Sequence, residues 1–261
     1  MRTYPYGLRV TSSNLDPTIS WRHGVQIVAL NWQSCDKGIM LNEGMFATTG
    51  GWVLKPESYR SLSHRQGPES ALKPSSFHPR GKFMDLDIEV FAAQGLPLPD
   101  ETSVKSFRPY LKCILHPDTI SNDPHSDTRK NEGTSWLGRR LGGSVKAQEK
   151  KNAEDKFKAR TRAQQGTSPD FSRELLQFRN ISIGEEELSF VRFKVQHDIN
   201  MRSDPLAAWA CIRLDRLREG PRLLRLFDAK GNKSSGKVFV NITKRIRDVG
   251  LERGMEALVV E

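Results

Sequence analysis

Residues 85–90 read Asp-Leu-Asp-Ile-Glu-Val, a run in which acidic and apolar side chains alternate. Side chains alternate between the two faces of a β-strand, so this period of two predicts a strand with one face in a core and the other in solvent. Comparable strand-forming stretches recur through the C-terminal two thirds of the chain, at 86–90, 111–115, 174–178, 191–195, 207–214, 222–227 and 238–242. We therefore predict a mostly β chain in which residues 83–246 form an antiparallel β-sandwich, with an eighth strand hidden near a charged insertion.

The first 60 residues have a mixed pattern instead. Residues 26–31 form a short, nearly continuous apolar run, which is typical of a parallel strand covered on both faces. Asp16 followed by Pro17 predicts the start of a short helix, because aspartate caps the first turn and proline is tolerated at the first helical position. Residues 41–46 are expected to form a further short helix.

The composition of the chain limits its partners and its compartment. Its 261 residues include 41 Lys and Arg against 31 Asp and Glu, a net charge of +10 that predicts an anionic partner such as nucleic acid, lipid headgroups or phosphate esters. The three cysteines, Cys35, Cys113 and Cys211, lie far apart, which excludes a disulfide scaffold and a clustered metal site and suggests a reducing compartment. The longest apolar runs fall far short of the ~20 residues of a membrane-spanning helix. A cytoplasmic protein is therefore expected.

Much of the positive charge is concentrated in one segment. Residues 129–162 carry eleven Lys and Arg against four Asp and Glu, a net of +7. The segment has few large apolar residues, and a chain that buries little apolar surface cannot offset the entropy lost on ordering. We expect 122–166 to be a largely disordered insertion, in which 145–160 could form a solvated helix. Residues 61–82 are predicted to be a linker, and residues 247–261 a C-terminal tail.

Three roles are open for this basic insertion: an inert solvated loop, a contact with an anionic membrane, or a nucleic-acid contact. Each basic residue near an acidic leaflet contributes about 1 kcal/mol to membrane binding. Base stacking requires interleaved aromatic side chains, and the insertion has only Trp136 and Phe157. We therefore expect no nucleic-acid partner, while the inert loop and the membrane contact both stay open.

The N-terminal residues carry a more specific pattern. The stretches that occur in one order and spacing are 2–5 (Arg-Thr-Tyr-Pro), 9–14 (Arg-Val-Thr-Ser-Ser-Asn), Pro17, Trp21, Gly24, 26–33 (Gln-Ile-Val-Ala-Leu-Asn-Trp-Gln) and 50–56 (Gly-Gly-Trp-Val-Leu-Lys-Pro). This pattern closely resembles the end of the Y half of phosphoinositide-specific phospholipase C. Further along, 83–99, 108–112, 190–195, 204–208 and 226–231 resemble the C2 sandwich that follows the catalytic barrel in that family.

The resemblance implies a fold and an activity. Residues 1–60 would be the last βα elements of a TIM-like barrel, followed by the linker and a C2-like sandwich at 83–246. The full enzyme would hydrolyse phosphatidylinositol 4,5-bisphosphate to diacylglycerol and inositol trisphosphate in signal transduction, peripheral to the inner face of membranes. Calcium and two histidines of the family's X half would carry the chemistry. That half has no counterpart in this sequence, so we expect no catalytic residue here and an inactive chain, corresponding to the C-terminal part of the enzyme.

The resemblance also assigns two substrate-binding residues. Arg2 and Tyr4 match the arginine and tyrosine that contact the headgroup at the carboxyl end of a barrel strand. A guanidinium binds phosphate with two hydrogen bonds, and a tyrosine can stack on the inositol ring. Phosphoinositide, anionic membrane lipids and the missing N-terminal barrel half are therefore the expected partners.

A calcium site in the sandwich is not expected. Calcium requires six to eight oxygen ligands, mostly from carboxylates. The first loop position that would read Asp-Pro in calcium-binding C2 domains reads Arg108-Pro109, and only Asp198 and Asp204 remain as candidate ligands. Calcium would therefore serve the complete enzyme through ligands in the missing half, with none predicted for this chain. None of the six histidines stands in a recognisable catalytic motif.

Two functions from different classes follow. The first is the C-terminal part of a phosphoinositide phospholipase C. The second is a non-enzymatic C2-type membrane-targeting module that binds anionic lipids, with residues 1–60 as a passive appendage. Whether the sequence comes from a truncated gene is left open.

Overall fold

The computed structural model describes residues 1–4, 12–56, 59, 82–118, 156–199 and 204–248. Most of the predicted linker, most of the basic insertion and most of the C-terminal tail lie outside these residues. The boundaries proposed for the linker and the tail therefore stay predictions.

The N-terminal unit consists of two short parallel strands and two helices. In order they are β1 (Arg2–Thr3), α1 (Pro17–Arg22), β2 (Ile27–Val28) and α2 (Lys37–Phe46). β1 pairs with β2 in parallel, as expected for neighbouring barrel strands. The predicted cap of α1 is confirmed, because the Asp16 carboxylate accepts hydrogen bonds from the backbone N–H and the hydroxyl of Thr18.

Two predictions for this unit were wrong in detail. α2 begins at Lys37 rather than at residue 41, because the Asp36 side chain caps it by accepting from the backbone N–H groups of Gly38 and Ile39. The strand in 26–31 covers only Ile27–Val28, and it is not covered on both faces, since half of the Ile27 side chain is exposed.

Eight strands form the sandwich. They are β3 (Lys82–Gln94), β4 (Pro109–His116), β5 (Lys158–Arg160), β6 (Asp170–Ile183), β7 (Phe190–His197), β8 (Leu206–Arg213), β9 (Gly220–Asp228) and β10 (Lys233–Asp248). They are hydrogen-bonded in the order β5-β4-β7-β8-β9-β10-β3-β6, and every described pair is antiparallel. β8 and β9 share only two residue pairs, so the row folds there into two four-stranded layers.

The core lies between these layers and follows the predicted alternation. Met84, Leu86, Ile88 and Val90 on β3 are fully buried, while the acidic residues between them face outwards. Val191, Phe193 and Val195 on β7 are buried from the opposite layer. The mostly β fold with an antiparallel sandwich is confirmed.

The end of the basic insertion is more ordered than the sequence predicted. Lys158–Arg160 form β5 rather than disordered chain or helix, and this strand is the eighth one expected nearby. The backbone N–H of Thr161 donates to the Leu111 carbonyl, and the Thr161 hydroxyl accepts from the Leu111 N–H, so pairing with β4 continues past the strand. Four of the eleven cations counted in 129–162 therefore belong to the described part of the chain: Lys156, Lys158, Arg160 and Arg162.

β5 and β6 occupy the two ends of the hydrogen-bonded row. β6 has 14 residues, and its pairing with β3 shifts register twice. Ser172, Arg173 and Asn180 lie at these shifts with positive φ angles of 50–60°, a backbone conformation that is uncommon outside glycine.

Candidate functional site

The two residues predicted to bind substrate lie at the N-terminal strand pair. Arg2 is an exposed residue of β1, opposite Ile27 of β2, and Tyr4 follows the carboxyl end of β1 with 62% of its surface exposed. Side chains two residues apart on extended chain lie on the same side of it, and Tyr4 is two residues beyond Arg2, just after the end of β1. Their assignment to substrate stays a prediction.

Asn14 organises the loops around β2, a role that the sequence pattern did not reveal. Its side-chain amide donates to the Asn31 carbonyl at 3.1 Å and to the Asp36 carboxylate at 3.1 Å. Its side-chain oxygen accepts from the Asn31 N–H at 2.6 Å, and its own backbone N–H donates to Asp36 at 2.7 Å. One side chain thus ties the end of β2 to the capping residue of α2.

Helix α2 packs directly against the outer face of the sandwich. Leu41 and Met45 of α2 form a buried cluster with Phe190 on β7 and with Trp209 and Cys211 on β8. Gly44 makes this close approach possible. A Cβ atom added there would lie 2.8 Å from the Cys211 sulfur and 3.2 Å from the Phe190 ring.

Arginines of the sandwich anchor the same helix. The Arg216 guanidinium donates to the carbonyls of Met45 and Ala47 at 3.2 and 3.0 Å, and so satisfies acceptors at the C-terminus of α2. Arg213, which is buried, makes a two-point contact with Asp215 and also reaches the Met45 sulfur. The N-terminal unit is therefore bound to the sandwich rather than tethered loosely to it.

Asp118 joins the two units at a second place. Its side chain is 1% exposed and forms an ion pair with Arg22 of α1, whose side chain is 19% exposed. It also accepts from the Tyr59 hydroxyl at 3.3 Å and from the Glu185 backbone N–H at 3.0 Å. Burial, and then the charge of Asp118, raises the pKa of Tyr59 to about 12, so this hydroxyl keeps its proton and remains a donor at neutral pH.

Apolar surface is open beside β2. A cavity of about 740 Å³ lies between β2, α2 and residues 51–56, and is lined by side chains that include Trp21, Val28 and Phe46. At its rim Trp52 is 87% exposed and Leu54 is 74% exposed. Exposed apolar patches of this kind are typical of interaction surfaces and ligand-binding grooves.

Internal donors occupy the two carboxylates proposed as remaining calcium ligands. Asp204 accepts from the Tyr110 hydroxyl at 2.7 Å and from the Ile199 N–H at 3.3 Å, while Asp198 lies 3.6 Å from the Arg108 guanidinium. Burial, and then its hydrogen bond to Asp204, raises the pKa of Tyr110 to about 12. These residues do not fit calcium, because a cation already stands beside one ligand. Residues 200–203 of this loop are outside the described part, and the expected absence of a site stays a prediction.

Among the residues that the structure describes, no group of three or more His, Cys, Asp or Glu side chains is placed to hold a metal ion. His116 accepts a hydrogen bond from the Arg192 guanidinium at 2.7 Å. Burial, and then the charge of Arg192, lowers the pKa of His116 to about 3, so the imidazole is neutral at physiological pH. No helix in the described ranges is long and apolar enough to cross a membrane.

Comparison with known proteins supports the resemblance seen in the sequence. Residues 1–58 match the family described as phosphatidylinositol-specific phospholipase C, Y domain. The 1-phosphatidylinositol 4,5-bisphosphate phosphodiesterase 1 of Saccharomyces cerevisiae is 28% identical over 244 residues, which are 88% of this chain and 24% of that protein. The human 1-phosphatidylinositol 4,5-bisphosphate phosphodiesterase gamma-2 is 42% identical over 98 residues, which are 37% of this chain and 7% of that protein.

The crystal structure of S. officinalis PLC21 supports the fold. It aligns with 99% of this chain at a TM-score of 0.61 and 22% identity, and the chain covers 27% of it. The chain thus spans about a quarter of the proteins that it matches over most of its own length. The predicted resemblance to the Y-domain end and the sandwich of these enzymes is confirmed.

Proposed function

We propose that this chain is the C-terminal part of a phosphoinositide phospholipase C. It supplies the last two strands of a barrel, and a part of the enzyme outside this chain forms the other strands. The observation that carries the proposal is the parallel pair β1–β2, which is anchored to the sandwich through α2 and has uncovered apolar surface beside it. Two strands cannot close an eight-stranded barrel, so a partner surface is required.

In the assembled enzyme, Arg2 and Tyr4 would hold the inositol phosphate headgroup. The guanidinium would bind a ring phosphate, and the tyrosine would stack on the ring and donate a hydrogen bond. Calcium, held by residues outside this chain, would stabilise negative charge on the phosphate during cleavage. The role of this chain would be to bind and orient the headgroup, and the chain alone would be inactive.

Barrel completion can be tested by hydrogen exchange. The chain should be mixed with the N-terminal barrel half of the S. cerevisiae relative, and exchange measured by mass spectrometry. We expect protection at Ile27–Val28 to rise about tenfold or more, because the exposed side of β2 becomes covered. Residues 86–90 of the sandwich core should be unchanged and serve as the internal control. Unchanged exchange at Ile27–Val28 would count against the proposal.

The second candidate is a membrane-targeting module that acts through the sandwich. Asp198 and Asp204 are engaged by Arg108 and Tyr110, so membrane binding by this module would not depend on calcium. In this case the protein would associate peripherally with anionic lipid at the inner face of a membrane, with or without the rest of a barrel.

Vesicle binding should therefore respond to salt but not to calcium. The Debye length falls from about 10 Å at 0.1 M salt to about 3 Å at 1 M, so contacts between exposed cations and an anionic leaflet weaken as salt rises. We expect sedimentation with phosphatidylserine vesicles to be unchanged by a chelator at low salt and lost at high salt. Release by the chelator at low salt would mean that the loop with Asp198 and Asp204 does bind calcium.

A further inference from the structure

The outer face of the layer formed by β9, β10, β3 and β6 carries exposed apolar side chains. Leu223 on β9 lies directly opposite Phe239 on β10, and these residues are 58% and 40% exposed. Phe91 on β3 falls at a register shift between β3 and β10, and its ring centre lies 4.9 Å from that of Phe239. We refer to Leu223, Phe239 and Phe91 as the apolar strip. Exposed apolar surface of this kind is typical of docking surfaces.

Two cations lie beside the apolar strip on the same face. Arg225 on β9 lies directly opposite Lys237 on β10, and each is two residues along its strand from a member of the strip. Among the residues that the structure describes, neither cation has an ion-pair partner. The nearby carboxylate of Glu89 is engaged by Asn241 at 3.2 Å and by Arg173 at 3.7 Å. Like charges directly opposite each other destabilise a sheet, so a carboxylate placed between Arg225 and Lys237 would be favourable.

One end of the apolar strip is covered and the other is open. The Arg173 guanidinium on β6 lies 5.4 Å from the centre of the Phe91 ring and covers it from that side. Leu223 and Phe239 have no such cover among the described residues, and both are strand residues whose backbone is paired within the sheet. A segment that binds here must therefore lie across the face of the sheet, because it cannot add to it as a further strand.

The residues that follow β10 in the sequence fit this surface in character. Residues 249–261 lie outside the described part of the chain, and their sequence reads Val-Gly-Leu-Glu-Arg-Gly-Met-Glu-Ala-Leu-Val-Val-Glu. They include three glutamates and one arginine, so they are acidic in an otherwise basic protein. The apolar run 257–260 is followed directly by Glu261. Apolar side chains next to a carboxylate are what the apolar strip and its two cations require.

These residues are also long enough to reach the surface. β10 ends at Asp248, and Phe239 lies nine residues back along the strand, which is about 30 Å. The twelve residues from Asp248 to Val260 span about 40 Å when extended, so the chain can turn and run back over β10. In that direction the apolar run arrives at Phe239, and Glu261 continues towards Lys237. The order of residues along the segment thus matches the order along the surface.

We propose that the apolar strip, with Arg225 and Lys237, is a docking surface for the chain's own residues 249–261. In this arrangement the apolar run 257–260 covers Leu223 and Phe239, and Glu261 brings a carboxylate to the two cations. The connection to β10 gives the segment an effective concentration of about 1 mM, so a weak contact is enough to keep the face covered. The surface lies wholly on the sandwich and does not depend on barrel completion.

The test uses a chain that ends at Asp248, which keeps every residue that the structure describes. A fluorescein-labelled peptide of residues 249–261 is added to it, and binding is measured by fluorescence anisotropy. We expect a Kd of about 0.1–1 mM, since a contact of this strength is occupied at the effective concentration of the tethered segment. The full chain should bind the peptide about three- to fivefold more weakly, because its own segment competes.

Two double variants test the apolar part of the contact from both sides. Leu223→Ser with Phe239→Ser in the protein should weaken peptide binding about tenfold or more, because the apolar area available for burial is lost. A peptide with Leu258→Ser and Val260→Ser should lose binding to the same extent, and this change leaves the protein untouched. Thermal unfolding checks that the protein variant folds.

A third variant tests the charges, and a fourth is the matched control. Arg225→Gln with Lys237→Gln should weaken binding about two- to fivefold and reduce its salt dependence, because exposed ion pairs contribute little and are screened. Trp52→Ser with Leu54→Ser removes two exposed apolar side chains from the N-terminal unit. This control should leave the Kd for the peptide unchanged.

Other results would overturn the proposal. Equal binding of the peptide with and without its two serine substitutions, no binding at all, or equal binding by the full and shortened chains would show that the segment does not occupy the strip. If the shortened chain sediments as a dimer that only Leu223→Ser with Phe239→Ser disrupts, the strip is an interface between copies. If the same variant loses binding to vesicles and the peptide does not compete with them, the strip meets a lipid surface instead.

Discussion

Arg2→Ala should slow hydrolysis of phosphatidylinositol 4,5-bisphosphate about ten- to hundredfold in an enzyme reassembled from this chain and the N-terminal barrel half of a relative. A charge-assisted hydrogen bond contributes about 1.5–3 kcal/mol. Its loss raises the activation free energy by that amount if the contact persists in the transition state. Unphosphorylated phosphatidylinositol has no ring phosphate for Arg2 to bind, so its hydrolysis should change much less. The measurement is release of water-soluble inositol products from both lipids.

Two controls accompany this variant. Lys37→Ala removes a cation from the same unit but leaves the strand pair intact, and it should have little effect on either substrate. The chain without the N-terminal half should release no inositol phosphate at any calcium concentration. Equal losses on both lipids would mean that Arg2 stabilises the barrel rather than binding the headgroup. Activity of the isolated chain would contradict the proposal that the catalytic residues lie outside it.

Asp118→Ala should lower the free energy of unfolding by about 3 kcal/mol. Removing one partner of a buried ion pair leaves the other charge uncompensated, at a cost of about 3–5 kcal/mol. The lower value applies because the Arg22 side chain keeps 19% of its surface exposed. The change also removes the acceptor for Tyr59 and for the Glu185 N–H. Urea unfolding followed by tryptophan fluorescence gives the measurement.

The matched control for this prediction is Asp100→Ala. Asp100 lies 3.5 Å from Lys230, and both side chains are more than two thirds exposed, so the pair is solvated and screened. Exposed pairs of this kind contribute little to stability, and this variant should unfold at nearly the same urea concentration as the wild type. If the two aspartate variants behaved alike, Asp118 would not join the two units.

The sequence predicted the sandwich well because strand alternation is a local signal. Met84, Leu86 and Ile88 are buried where their spacing placed them. The same method predicted an eighth strand near the charged insertion but did not locate it, because β5 has only three residues and lies at the end of a charged stretch without alternation. It also shortened α2, because Lys37-Gly38 is a poor helical start that succeeds here through the Asp36 cap.

The residues that join the two units could not be found from the sequence. Asp118 is a single carboxylate in a loop, and its partner Arg22 is 96 positions away. The register between β5, β4 and β7 is likewise set by pairing across long sequence separations rather than by any one strand.

The irregular backbone of β6 has a consequence for self-association. A long strand at the end of a sheet offers unpaired N–H and C=O groups to the corresponding strand of another molecule, which is a common first step towards aggregation. The positive φ angles at Ser172, Arg173 and Asn180 interrupt the regular spacing of these groups. The 14-residue strand therefore offers no long straight stretch for a second copy to extend.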